Sequence, residues 1–172
     1  MPIEGIEQPE ILLIEKGLRL RKYDGPYSGA LAWYQDEETL SLVDGPGWTP
    51  YDPAQLSKMY EYLNTAGELY YIEIENNGAH IPIGDVTLCR NDLPIVIGDK
   101  AYRGRGIGRK VLLGLIKRAG DLGFETLGVK EIYHHNLASQ KLFEGAGFKK
   151  SVPSSHGFSY LLKLSQCLLK PT

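Results

Sequence analysis

Cysteine is scarce: the 172 residues include only Cys89 and Cys167, far apart in the sequence. Two distant cysteines make neither a disulfide framework nor a zinc pattern, and a reduced, cytoplasmic setting is the simpler expectation. Such thiols usually behave as small hydrophobes. Long apolar runs are missing too, since no stretch approaches the ~18 apolar residues of a membrane helix. The first residues, MPIEGIEQPEILL, are acidic and broken by proline, so they do not read as a signal peptide. A strong net charge is also lacking. Nineteen basic and 21 acidic residues give −2, which argues against a dedicated nucleic-acid binder. There is no internal repeat and no low-complexity linker. The length suits a single domain, 1–172, with one sizeable core.

The near-neutral total hides a split. Residues 1–80 carry 14 acidic and 5 basic residues, a net of −9; residues 81–172 carry 7 acidic and 14 basic, a net of +7. One half suits a cationic ligand and the other an anionic one. In the acidic half, Asp36, Glu37, Glu38, Asp44 and Asp52 are candidate contacts for a cation. Trp48, Tyr51, Tyr70 and Tyr71 are candidate aromatic walls. A solvated acidic face over a core of aromatics accounts for the same residues.

The pattern along the chain predicts elements. Residues 11–23 alternate as strand with a break at Gly17, and Asp24-Gly25-Pro26 turns the chain. Residues 27–43 read as one or two short helices with Asp36 as a cap. A Gly- and Pro-rich loop of about ten residues follows from Asp44. Asp52-Pro53 then predicts an N-cap and first helical position, with the helix stopping near Gly67. Strands are predicted at 69–75, 81–89 and 93–97. Helix 106–120, strand 125–133, helix 136–146 and strand 157–164 complete the order. An antiparallel first half followed by βαβα units predicts an α/β fold with a mixed, mostly antiparallel sheet flanked by helices. The apolar tail from Tyr160 reads as the last strand, covered either by the core or by a homodimer contact.

The segment from Ile97 to Val111 carries the most chemistry. A buried strand ends, a loop dense in glycine and arginine follows, and Ile107, Val111, Leu112, Leu115 and Ile116 fall on one helical face. Gly104, Gly106 and Gly108 let backbone N–H groups approach a ligand, and the helix points its positive end at the same place. Arg103, Arg105 and Arg109 add charge. A pyrophosphate fits such a cradle. The Lys-Ser/Thr pair of a P-loop is missing, and the glycine spacing is not that of a dinucleotide fingerprint.

Arg103-x-x-Gly106-x-Gly108 resembles the [R/Q]-x-x-G-x-[G/A] signature of the GNAT superfamily of N-acetyltransferases. Asn136 to Phe148 is similar to that family's N-x-x-[A/S]-x-x-L-[Y/F]-x-x-x-G-F segment. The close resemblance covers about 83–150, which it implies is the cofactor-binding core. It implies a sheet splayed at the cofactor strand and acetyl-CoA as cosubstrate. Backbone groups of Val96, Ile97 and Gly98 would meet the pantetheine arm. The loop Arg103, Gly104, Arg105, Gly106, Ile107, Gly108 and Arg109 would hold the phosphates. Asn136, Ser139 and Phe143 would line the pantetheine side. Asn136 reads equally well as a helix cap.

Acetyl transfer needs an acceptor for the amine's proton, donors for the oxyanion and a proton for the leaving thiolate. No metal is required, and the adjacent His134-His135 pair lacks ligand spacing. Many family members have tyrosine where this chain has Phe143, which cannot protonate the thiolate. Ser139, one turn earlier, is the substitute. Asp92 is the favoured base, with Asp85, Glu73, Glu75, Glu131 and His134 as other candidates. The expected activity is direct acetylation of a primary amine in a ternary complex, with a small cationic molecule as acceptor. The alternatives are a ribosomal-protein-type N-terminal acetyltransferase acting on a peptide N-terminus, favoured by Ser139, and a catalytically silent acyl-CoA sensor.

Overall fold

A computed structural model describes residues 3–164; Cys167 and most of the apolar tail lie outside the described residues. Strands β1 (Ile11–Glu15) and β2 (Leu18–Lys22) form a hairpin. Gly17 makes the turn at φ +79°, a conformation that glycine adopts without Cβ strain. Two short helices, α1 (Ala30–Trp33) and α2 (Glu37–Val43), lead to α3 (Pro53–Ala66). The Asp36 carboxylate accepts from Thr39 N–H at 2.9 Å, and Asp52 accepts from Gln55 N–H at 2.7 Å. Each satisfies a backbone donor that a helix start would otherwise leave free.

Strands β3 (Glu68–Asn76), β4 (Ala79–Leu88) and β5 (Ile95–Ile97) follow, then α4 (Ile107–Asp121), β6 (Thr126–Tyr133), α5 (Leu137–Gly145), β7 (Lys149–Pro153) and β8 (Gly157–Lys163). β1 to β5 form one sheet in chain order. β6, β8 and β7 form a second, and every described ladder is antiparallel. β5 and β6 make no ladder with one another. Gly128 N–H donates to Arg90 O at 3.3 Å and Lys130 N–H to the Asp92 carboxylate at 3.1 Å. Those contacts advance together along both segments, so β5 and β6 run parallel. They meet at this end and leave a gap beyond it, which is the splay expected of the fold.

Helices on both faces close the core. One apolar cluster packs α4 and α5 against both sheets, with Leu20, Ile72, Val86, Leu112, Leu115, Leu127 and Phe143 among its members. The second lies on the opposite face of the larger sheet and is rich in tyrosine: Tyr34, Tyr60 and Tyr71 with Leu40, Leu69 and Val96. Fully burying one such side chain stabilises by roughly 1.5–3 kcal/mol. Tyr70 and Tyr71 are 0% and 1% exposed, one on each covered face, so neither is a wall for an acceptor. β7 has no counterpart in the sequence reading, because all five residues are exposed and give no alternation. No helix among the described residues is long and apolar enough to cross a membrane.

Candidate active site

The gap between β5 and β6 opens into a cavity of about 700 Å³. Its first wall is the free edge of β5. Pro94 C=O accepts from Thr87 N–H on the β4 side, and backbone direction alternates along a strand. The Val96 backbone therefore also faces β4, opposite Asp85. Ile95 and Ile97 turn their backbone groups toward the gap. Ile97 presents an unused N–H, while its carbonyl accepts from Arg103 Nε at 2.8 Å. Of the three expected backbone positions, Ile97 faces the cavity. Val96 is among the lining residues although its backbone faces β4, and Gly98 does not line the cavity. Gly98 lies under the Trp33 ring, which a Cβ there would strike.

The second wall is the glycine loop. Gly104 and Gly106 have φ of +69° and +76°, and a Cβ on either would meet nothing within 4 Å. Gly106 caps α4 in the left-handed conformation without a side-chain partner. The N–H groups of residues 104–109 find no acceptor among the described residues. Six adjacent free donors at a helix start, on an open surface, fit a pyrophosphate. Gly104, Gly106, Ile107, Gly108 and Arg109 line the cavity. Arg105 does not; its guanidinium lies over the Tyr102 ring, 5.2 Å from the centroid. Arg109 is exposed and makes one long contact, 3.4 Å to Gly145 O. Arg103 lines the cavity with its nitrogens already engaged, by Ile97 O, by Thr39 Oγ1 at 2.8 Å and by Glu38 at 3.5 Å.

The third wall comes from β6 and α5. Asn136 is 8% exposed; its oxygen caps α5 by accepting from Ser139 N–H, and its nitrogen donates to Leu42 O at 3.3 Å. Ser139 is half-buried on the cavity wall, and its hydroxyl makes no hydrogen bond among the described residues. Phe143 sits one turn on, edge-to-face with Phe148 at 5.1 Å. Tyr133, which the sequence reading did not single out, lines the same wall and donates to Asp44 O at 3.1 Å. Burial, with the Glu131 and Asp44 charges, raises its pKa.

Asp92 stands where the two arms meet. One carboxylate oxygen accepts from the N–H groups of Leu93 and Lys130, both at 3.1 Å; the other is 3.9 Å from Lys130 Nζ. Glu131 also lines the cavity and accepts from the Ser154 hydroxyl. Glu73, Glu75, Asp85 and His134 do not line it. Glu73 is held by Arg19 and Arg21, and Asp85 by Tyr34 and Tyr60. Cys89 is pushed up to about 11 by burial and by the Asp92 charge, so it is a thiol at neutral pH. Among the described residues no group of three or more His, Cys, Asp or Glu is placed to hold a metal.

The acidic patch is largely consumed within the fold. Lys100 Nζ lies 2.8 Å from Asp36 and 3.0 Å from Glu38. That ammonium, helped by Thr39 N–H, holds Asp36 down at about 2. Asp52 caps α3, Asp44 accepts from Tyr51, and Tyr51 stacks on Tyr34 at 5.3 Å. Trp48 and Tyr51 do not line the cavity.

A row of free N–H groups and a free strand edge thus open together on one cavity. Residues 18–149 match the family model of the acetyltransferase (GNAT) domain, and the chain belongs to that family. No curated protein sequence matches it. Among solved structures it is similar to a domain from Methanocaldococcus jannaschii (21% identity, TM-score 0.73, 85% of this chain and 97% of that one). It is also similar to spermidine N-acetyltransferase from Vibrio cholerae in complex with CoA and spermine (17% identity, TM-score 0.68, 90% and 99%). The ribosomal L7/L12 alpha-N-protein acetyltransferase RimL in complex with coenzyme A matches too (14% identity, TM-score 0.68, 90% and 98%). At these identities the likeness is one of fold.

Proposed function

We propose that the chain, as one acetyltransferase domain over 1–172, moves the acetyl group of acetyl-CoA to a primary amine by direct attack in a ternary complex. The convergence of the free N–H row at 104–109 and the unpaired edge of β5 on one cavity carries this reading. The N–H row, with Arg105 and Arg109 at its rim, would hold the phosphates. Ile95 and Ile97 would pair with the pantetheine arm, with Asn136 and Phe143 on its other side. Bound acetyl-CoA supplies an activated thioester. Asp92 takes the amine's proton on the carboxylate oxygen that no backbone N–H holds. Ser139 gives its hydroxyl proton to the leaving thiolate as it takes one from solvent, so that the hydroxyl is restored. The remaining rate enhancement comes from positioning.

The acceptor has two readings. A spermine-bound structural relative supports a small cationic amine. The neutralisation of Asp36 and Glu38 by Lys100 favours a less cationic acceptor, the α-amine of a peptide. Thiol release from acetyl-CoA, followed against polyamines, aminoglycosides and N-terminal peptides, separates them. Release with none of the panel, despite CoA binding, would support the sensor. With the accepted amine, Asp92→Asn is expected to lower kcat by about 10²–10⁴, the usual contribution of a general base. An unchanged rate and pH profile would remove Asp92 from the mechanism.

A further inference from the structure

Three arginines stand in the glycine loop, and the sequence treats them alike. The structure does not. Arg103 uses Nε on Ile97 O at 2.8 Å, Nη2 on Thr39 Oγ1 at 2.8 Å and Nη1 toward Glu38 at 3.5 Å. Thr39 is 2% exposed, and its hydroxyl donates a hydrogen bond to Asp36 at 2.9 Å. Asp36 and Glu38 both return to Lys100, three residues before Arg103. The contacts thus close a ring between the loop and the first turn of α2. The other end of α2 is fixed to the opposite arm. Asn136 Nδ2 donates to Leu42 O at 3.3 Å, His135 Nε2 to Ser41 O at 2.9 Å, and Tyr133 Oη to Asp44 O at 3.1 Å. Helix α2 therefore bridges the splay, with Arg103 as its tie to the β5 arm.

We infer that Arg103 is a positioning residue, not a phosphate ligand. It fixes the end of β5 and the near end of α2 relative to one another, so that the strand edge and α2, whose Glu38, Thr39, Leu42 and Val43 line the same cavity, are set at one width. Its guanidinium is the only one of the three with all its nitrogens engaged; Arg105 lies over the Tyr102 ring with no hydrogen bond among the described residues, and Arg109 has the one long contact to Gly145 O. The inference builds on the proposed cofactor site, but part of its test does not need that site.

The first measurement is amide hydrogen exchange over residues 37–43 in the ligand-free protein. Arg103→Ala and Thr39→Val should each speed exchange there, and Arg105→Ala should not. The second is binding of CoA compared with pantetheine, which lacks the phosphates. Loss of a positioning residue weakens both ligands by a similar factor, of about tenfold; loss of a phosphate ligand weakens CoA alone. The double variant Arg103→Ala/Thr39→Val should bind CoA little worse than Arg103→Ala, because both substitutions break the same tie. Unchanged exchange in α2, or a loss confined to CoA with Thr39→Val silent, would overturn the assignment. Arg103→Lys, which keeps the charge but not the fork, serves where the alanine variant does not fold, and should behave as Arg103→Ala does. Failure of the wild type to bind CoA would count against the proposed function, while the exchange result would still decide the tie.

Discussion

Three carboxylates are buried in the larger sheet, Glu68, Glu73 and Asp85. Arg19 and Arg21 hold Glu73, and the other two, one on each face, are handled differently. Glu68 is on the α4 face and 0% exposed. Arg118 reaches it with two nitrogens, at 2.7 and 3.2 Å, and the Tyr70 hydroxyl donates at 2.7 Å. Asp85 is on the tyrosine-rich face and 2% exposed. It has hydroxyls only: Tyr34 at 2.9 and 3.0 Å and Tyr60 at 2.8 Å. Burial raises its pKa to about 6 despite those donors. A guanidinium fork gives a buried carboxylate an opposite charge, whereas hydroxyls give it hydrogen bonds alone. Asp85 stands directly opposite Val96, one strand behind the free edge of β5. A guanidinium thus holds Glu68 on the aliphatic face, and hydroxyls alone hold Asp85 behind β5.

Breaking the fixed pair should have the largest effect. Arg118→Ala leaves Glu68 with one hydroxyl donor inside the core. The expected loss is about 3–5 kcal/mol, because removing one partner of a buried pair strands the other charge. Adding Glu68→Gln should return part of that loss, since the stranded group is then neutral. Urea midpoints of the two variants check both statements. A loss under about 1 kcal/mol for Arg118→Ala would mean that water reaches Glu68 and that the two faces do not differ as described.

The titrating site gives the next largest effect. The folded pKa of Asp85, about 6, lies above the unfolded value of about 3.9, so between them the folded state holds more protons. Stability from this group is therefore full below about pH 4 and falls as pH rises through about 6. The size is about 3 kcal/mol, from roughly two pH units at 1.36 kcal/mol each. Asp85→Asn removes that contribution while every other titration remains. The difference in unfolding free energy between wild type and variant should shift by that amount between pH 4 and pH 7. A difference that stays constant would show that Asp85 does not titrate in this window.

The backbone of the site was legible in the sequence because local chemistry fixes it. Asp52-Pro53 starts α3 where capping rules put it, and the glycines at 104 and 106 take the positive φ that only glycine adopts freely. Partnerships across the chain were not legible. Arg103 meets Thr39 and Lys100 meets Asp36, each 64 positions away, and no local pattern pairs them. The acidic half therefore read as a cation site when much of it is internal counter-charge. Tyr70 and Tyr71 failed for another reason. A sheet covered on both faces buries consecutive residues, so the period of two that marks a half-exposed strand vanishes. Asp85 looked like any strand carboxylate, because Tyr34 and Tyr60 reach it from outside the sheet.

The smallest expected effect separates the two hydroxyls. Tyr60→Phe removes the one bond from α3, and Tyr34→Phe removes the donor shared by both carboxylate oxygens. Neither ring leaves a void, so the change is in hydrogen bonding alone. Donors stabilise the ionised form most, so either substitution should raise the Asp85 pKa further. Each should cost roughly 1–2 kcal/mol at pH 7.5, where the carboxylate is charged, and less at pH 4, where it is neutral. The carboxyl ¹³C shift of Asp85 reads the pKa, and urea unfolding at the two pH values reads the cost. The same cost at both would mean that the tyrosines hold the neutral acid as firmly as the anion. The hydroxyls would then be packing partners of Asp85 and not what keeps its charge tolerable behind β5.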